Sequence, residues 1–198
     1  MDTFLTIKDL SKGEYKEKKS SFLAFAYPIK NTEEVKNIVE SLKKEYYDAR
    51  HHCFAWKLGI GKEEQHRAFD DREPAHTAGD MIYGAIESHQ LTNILIVVVR
   101  YFGGIKLGAS NLSKAYRQAA EESIANANII EKTLEYTLSF TFPFSLMSQI
   151  NKFLKDNNFT KENYTFTSAN EINLTFNLDR KENILTQLQS IYGVEIKE

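Results

Sequence analysis

The sequence predicts an α+β fold in two domains, residues 1–130 and 131–198. Three observations carry this reading. The residue pattern changes character near Glu131. After it, runs of period two alternate with two helical faces in the order β-α-β-β-α-β. Before it, the unbroken apolar run Ile94, Leu95, Ile96, Val97, Val98, Val99 is flanked by amphipathic helical patterns, as expected of a central strand covered on both faces.

In the first domain, residues 13–18 and 21–27 read as extended segments. Val35, Ile38, Val39, Leu42 and Tyr46 then fall on one face of a helix over 32–46, with Asn31 and Glu34 at capping spacing. Residues 52–58 alternate His52, Phe54, Trp56 and Leu58 against Cys53, Ala55 and Lys57, a strand pattern. Residues 59–80 form a long polar stretch with no core pattern, and such stretches are often functional. A helix over 79–88 leads to the central strand, 93–102. A glycine-rich loop over 103–108 follows, then a helix over 110–128 carrying Leu112, Ala115, Tyr116, Ala119 and Ile124.

In the second domain, Leu134, Tyr136, Leu138, Phe140 and Phe142 alternate with polar residues, and Pro143 ends the strand. Leu146, Ile150, Phe153 and Leu154 share a helical face that stops at Asp156-Asn157-Asn158. Two strands, 159–167 and 171–178, are joined by a turn at Ser168-Ala169-Asn170. Asp179 and Glu182 have capping-box spacing and open a helix carrying Ile184, Leu185, Leu188 and Ile191, which Gly193 closes before a last strand at 194–197. This order is the ferredoxin-like signature.

The 198 residues carry 25 Lys+Arg and 27 Asp+Glu, a formal net charge of -2. Near-neutrality argues against nucleic-acid binding driven by bulk electrostatics, because counterion release needs many cations facing phosphates. A local basic patch is compatible with it. The lone Cys53 excludes an intramolecular disulfide and a multi-cysteine zinc site, and fits a reducing compartment. The N-terminus has no apolar signal core, and the longest apolar run is far short of the roughly 20 residues of a membrane span. A cytoplasmic protein without membrane contact is expected.

Two loops could carry chemistry. Arg100-Tyr101-Phe102-Gly103-Gly104-Ile105-Lys106-Leu107-Gly108 joins a buried strand to a long helix. Adjacent glycines present backbone N–H groups, the helix N-terminus adds partial positive charge, and Arg100 and Lys106 add two cations, which makes an anion site. The spacing matches neither a P-loop nor a dinucleotide fingerprint, and it equally suits a tight strand-to-helix turn. Arg100 ends an apolar run, so its charge needs a partner, with Asp70, Asp71 or Glu73 the candidates. The second loop, Asp70-Asp71-Arg72-Glu73-Pro74-Ala75-His76-Thr77-Ala78-Gly79, sets three carboxylates in four positions, suited to Mg²⁺ or acid–base work. It also suits a solvated turn whose Asp side chains hold backbone N–H groups while Thr77 caps the next helix. His52 reads as a core histidine with one satisfied hydrogen bond or as a binding residue. His51 shares the face of Cys53, itself read as a small buried hydrophobe.

Together, KKSSFLAFA, ARHHCFAWKLG, DDREPAHTAG and VVVRYFGGIKLGASNLSKAY resemble, in order and spacing, the YigZ/IMPACT family over essentially the whole chain. The resemblance implies a ribosomal protein S5 domain 2-like N-terminal domain and a C-terminal ferredoxin-like domain similar to one in elongation factor G. It also implies a translation context, since eukaryotic members restrain a stress-activated kinase of translation initiation by competing for its activator. The family's acidic block usually reads Asp-Asp-Gly-Glu-Pro-Ser-Gly-Thr-Ala-Gly. Here Arg72, Ala75 and His76 depart from it, so the loop is expected either to avoid φ > 0 at the two lost glycines or to be reshaped. Ser110 and Asn111 replace a later pair of glycines and are expected to cap the following helix.

The function expected is therefore a non-enzymatic binding or regulatory protein of the translation apparatus, contacting RNA, the ribosome or a translation factor. Its binding residues would be Arg100, Tyr101, Gly103, Gly104, Lys106, Gly108, His52 and Thr77, with no cofactor and no metal. The alternative is a divalent-metal-dependent, phosphate-handling hydrolase using Asp70, Asp71 and Glu73 with the Gly-Gly loop. Convergence of the two loops in one cleft is what that alternative requires.

Overall fold

The computed structural model describes residues 3–197. The chain folds as two compact α+β units, one spanning Phe4–Lys132 and the other built from the chain that starts at Thr133. The first contains, in order, β1 (Thr3–Ile7), β2 (Ser11–Glu17), β3 (Ser20–Pro28), α1 (Thr32–Glu45), β4 (His51–Leu58), β5 (Gln65–Phe69), α2 (Gly79–Ser88), β6 (Ile94–Tyr101), α3 (Ala109–Ala125) and β7 (Ile129–Thr133). Five strands form one sheet in the order β2-β3-β6-β4-β5, with every neighbouring pair antiparallel.

The apolar run at 94–99 is central because both of its faces are covered. Ile94, Ile96 and Val98 pack with α2 and α3, whereas Leu95, Val97 and Val99 pack with α1. All six are fully buried, each side chain contributing roughly 1.5–3 kcal/mol. The same alternation assigns β4: Cys53 and Ala55 face α2 and α3, and Phe54, Trp56 and Leu58 face α1. By period two, Arg100 continues the Ile94 series and His51 continues the Cys53 series, so both lie on the α2/α3 side. The register pairs them directly across the strands.

The second unit contains β8 (Glu135–Thr141), α4 (Met147–Asp156), β9 (Tyr164–Ser168), β10 (Glu171–Asn177), α5 (Lys181–Gln189) and β11 (Glu195–Lys197). Its four strands form a sheet in the order β11-β8-β10-β9, with antiparallel neighbours. Leu138, Phe140, Ile172, Leu174 and Phe176 bury one face of it against Ile150, Phe153 and Leu154 of α4 and Ile184 and Leu188 of α5. The other face is polar, with Thr137 paired to Thr175 (2.8 Å) and Ser139 to Asn173 (2.5 Å).

Several local expectations are corrected. β5 runs through the stretch read as patternless; it is an edge strand with one neighbour, residues 65–67 are exposed, and no alternation is imposed on them. β1 and β7 form a two-stranded sheet that no apolar pattern announced. The strand read from residue 159 starts at Tyr164, because Thr160–Asn163 hydrogen bonds close a turn first. Three helix caps also differ. Thr77 Oγ1 donates to Pro74 O (2.6 Å), and α2 begins at N-cap Ala78. Ser110 and Asn111 lie inside α3, whose N-cap is Gly108 at φ +78, and Asn111 donates to Leu107 O (3.1 Å). The Asp179 capping box is absent, because one turn of 3₁₀ helix precedes α5 and Arg180 is its cap. At α1 the expected cap forms, with Glu34 N–H donating to Asn31 Oδ1 (2.9 Å).

The acidic loop does not avoid φ > 0 at positions 72 and 76, where the resemblance implied glycine. Arg72 lies at φ +69, His76 at +63 and Asp71 at +40. The β2–β3 turn is also left-handed at both central residues, Lys18 (φ +44) and Lys19 (φ +65), as a tight hairpin of this hand requires. Gly103 lies against that turn. A Cβ there would come within 2.1 Å of the Lys19 carbonyl carbon, and the Gly103 N–H donates to Ser20 Oγ (3.1 Å). Gly103 therefore serves close approach, whereas Gly104 (φ +86) has open space around it and serves backbone conformation.

Two outcomes follow from this geometry. Gly103→Ala is expected to destabilise the protein by about 1–3 kcal/mol in urea unfolding, because the methyl meets backbone; an unchanged midpoint would contradict the packing described. Arg72→Gly is expected to stabilise by about 0.5–1 kcal/mol, by relieving a left-handed non-glycine residue; a loss of stability would show that the Arg72 side chain outweighs the strain.

Candidate functional site

Asp70 shapes the acidic loop by accepting hydrogen bonds from the backbone. Its carboxylate accepts from the N–H groups of His76 (3.0 Å), Ala78 (3.0 Å) and Gly79 (2.8 Å), satisfying donors at the start of α2. Asp71 ties the loop to β4: its Oδ2 accepts from the His52 N–H (2.8 Å), and its carbonyl lies 2.8 Å from His51 Nδ1. A carbonyl only accepts, so Nδ1 carries the proton, and the neutral ring presents Nε2 as an acceptor.

With the loop fixed at both ends, Glu73 reaches the sheet. Arg100 Nη1 donates to Glu73 Oε1 (2.5 Å), and Tyr116 OH donates to the same oxygen (2.8 Å). His51 Nε2 lies 3.8 Å away. The Arg100 and Glu73 side chains are 8% and 5% exposed, so this is a buried ion pair. Phe22 and Phe102 both lie under the guanidinium, at 5.3 and 5.7 Å. Behind it, burial pushes the Tyr116 phenol and the Cys53 thiol up, and both stay protonated. Cys53 Sγ lies 3.0 Å from Asp70 O and 3.3 Å from Tyr116 OH.

In front of the ion pair is a cleft of about 450 Å³. The acidic loop contributes Glu73 and Pro74, the strands contribute His51 and Arg100, the residue before β4 contributes Arg50, and the Gly-rich loop and the start of α3 contribute Lys106, Gly108 and Ala109. The two loops therefore converge. Arg50 and Lys106 have no carboxylate partner among the described residues, and the N-cap of α3 makes no side-chain hydrogen bond. The cleft thus collects two uncompensated cations and the free N–H end of a 17-residue helix.

Glu73, Arg100, Lys106 and Gly108 meet in the cleft, and the other sequence-nominated residues lie outside its lining. Asp70 and Asp71 point into backbone N–H groups, and among the described residues no three His, Cys, Asp or Glu side chains are arranged to hold a metal ion. Thr77 closes the turn at Pro74. Tyr101 points to the α1 side of the sheet and donates to Asp48 (2.8 Å); this hydrogen bond to a carboxylate pushes its phenol up to about 12. His52, on that same side, is 5% exposed, burial lowers its pKa, and its Nε2 has no hydrogen-bond partner among the described residues. Gly103 and Gly104 hold the loop's shape. Arg50 and His51, part of the Arg50-His51-His52-Cys53 run of the sequence, and Tyr116 were not among the binding residues expected from it. The available signal was period two: His51 shares the Cys53 face, and that face carries Arg100.

Residues 18–124 match the Impact N-terminal domain family, more than half of the chain, and this span contains every cleft residue. The sequence is 28% identical over 159 residues to IMPACT family member YvyE of Bacillus subtilis (strain 168), covering 80% of this chain and 73% of the relative. It is 40% identical over 124 residues to IMPACT family member YigZ of Escherichia coli (strain K12), 61% of each protein. The crystal structure of a hypothetical protein matches with a TM-score of 0.74 at 25% identity, over 99% of this chain and 97% of that one. The two-domain α+β architecture is thus shared over nearly the whole length, and the chain belongs to the YigZ/IMPACT family.

Proposed function

We propose that this protein is a binding module of the translation apparatus whose cleft docks an anionic group of RNA, the ribosome or a translation factor. The observation that carries this reading is the cleft itself, where Arg50, Lys106 and the start of α3 face open space while the acids beside them are engaged within the protein. Family membership supplies the translation context. A metal-dependent hydrolase would use the same cleft with a divalent ion, but Asp70 and Asp71 hold backbone N–H groups, and Glu73 is bound by Arg100 and Tyr116. The binding reading accounts for all three carboxylates.

On this reading the first unit is ribosomal protein S5 domain 2-like. The β-α-β-β-α-β order of the second supports reading it as ferredoxin-like, as in elongation factor G. A cytoplasmic location fits a single buried cysteine and the absence, among the described residues, of a helix long and apolar enough to cross a membrane. Fold analogy alone does not fix function, so the test addresses the cleft.

Cosedimentation with purified ribosomes, and band shifts with structured RNA, are expected to show association at low salt that weakens as salt rises. Lys106→Ala should weaken it and reduce the salt slope by about one. Gly104→Val should weaken it further, since Val cannot relax at φ +86. No association at low salt, or identical binding by both folded variants, would refute the role assigned to the loop.

A further inference from the structure

We infer that the cleft recognises a terminal phosphate, a phosphomonoester dianion attached to a nucleoside, in preference to the phosphodiesters along a chain. The inference rests on the anion-docking reading and narrows it to one ligand chemistry.

Charge is the first argument. Arg100 is neutralised by Glu73, which leaves Arg50 and Lys106 as two uncompensated cations beside the start of α3. A phosphodiester or a carboxylate brings one negative charge, whereas a phosphomonoester carries about −1.5 to −2 at pH 7. The monoester alone matches both cations.

Leftover donors are the second. Arg100 is 6% exposed and lines the cleft, and its Nε is buried with no hydrogen-bond partner among the described residues. A buried donor without an acceptor is costly, and it marks a wall that lacks one. The first N–H groups of α3 add further donors, since Gly108 offers them no side-chain cap. His51 lines the same cleft: with its Nδ1 proton held by Asp71 O, it offers Nε2 as an acceptor for a ribose hydroxyl.

Shape is the third. At about 450 Å³ the cleft lies within the ~300–1,000 Å³ of small-molecule sites and is larger than a bare phosphate needs. Pro74, Phe102, Leu107 and Leu112 supply an apolar wall beside the cations. Phe102 is 40% exposed, with Arg50 within 6.0 Å of its ring centroid. An aromatic and a guanidinium side by side suit a nucleobase next to its phosphate.

The test titrates the full-length protein, by calorimetry at low salt, with AMP, adenosine and inorganic phosphate. In parallel it is titrated with an unstructured RNA dodecamer bearing a 5′-phosphate, a 3′-phosphate or neither. AMP is expected to bind about tenfold or more tighter than adenosine and also tighter than inorganic phosphate. Arg50→Ala and Lys106→Ala, both at exposed positions, should cut the AMP preference to about threefold or less. The RNA arms separate the two sources of the same chemistry. Tighter binding of a phosphorylated dodecamer identifies an RNA end, and the AMP preference without an effect of RNA phosphorylation identifies a free nucleotide. If the dodecamers bind alike and AMP matches adenosine, the terminal-phosphate inference is overturned while the cleft remains a general anion site. If nothing binds in any arm, the anion-docking reading falls with it.

Discussion

The arrangement depends on one buried ion pair. The alternation that places Ile94, Ile96 and Val98 against α2 and α3 also commits Arg100 to that side, at the end of a strand with no polar face. A guanidinium there without a carboxylate would be destabilising by several kcal/mol. Glu73 meets that demand, and the rest of the acidic loop positions it: Asp70 fixes the loop to the start of α2 and Asp71 fixes it to β4. What looks in sequence like an acidic patch is therefore a scaffold for one side chain. The electrostatic character of the cleft follows, since neutralising Arg100 from within leaves Arg50 and Lys106 for something outside.

Left-handed non-glycine residues cluster around the same region. Asp71, Arg72 and His76 lie in the acidic loop, and Lys18 and Lys19 form the turn against which Gly103 packs. Such conformations persist where the surroundings over-determine them, which the hydrogen bonds to Asp70 and the contact with Gly103 do here. His76 also makes an exposed ion pair with Asp80 (2.6 Å).

The elements legible in the sequence were those imposed by burial. The apolar run at 94–99, the α1 face with its Asn31 cap and the alternating strands of the second unit each bury a face, and burial writes a period. The missed elements present no long buried face, although β1 ends in the buried Thr6 and Ile7. β5 is a polar edge strand, and β1 with β7 forms a two-stranded sheet whose pairing lies in backbone hydrogen bonds. The helix caps were misassigned because Thr77, Ser110 and Asp179 have capping chemistry while three-dimensional partners decide which group caps. At α2 the donors go to Asp70, eight and nine residues away in sequence. In the site, the Arg100–carboxylate partnership was readable from its chemistry, but the choice of Glu73 over Asp70 and Asp71 was not, because it depends on where a non-periodic loop folds.

The most direct test of this account is a double-mutant cycle on the ion pair, with Arg100→Met, Glu73→Leu and the combination compared by urea unfolding. Each single change strands a buried charge and is expected to cost about 3–5 kcal/mol, while the double variant should cost at least about 2 kcal/mol less than their sum. Additive losses, agreeing within about 0.5 kcal/mol, would contradict the claim that this pair is the constraint around which the cleft is built.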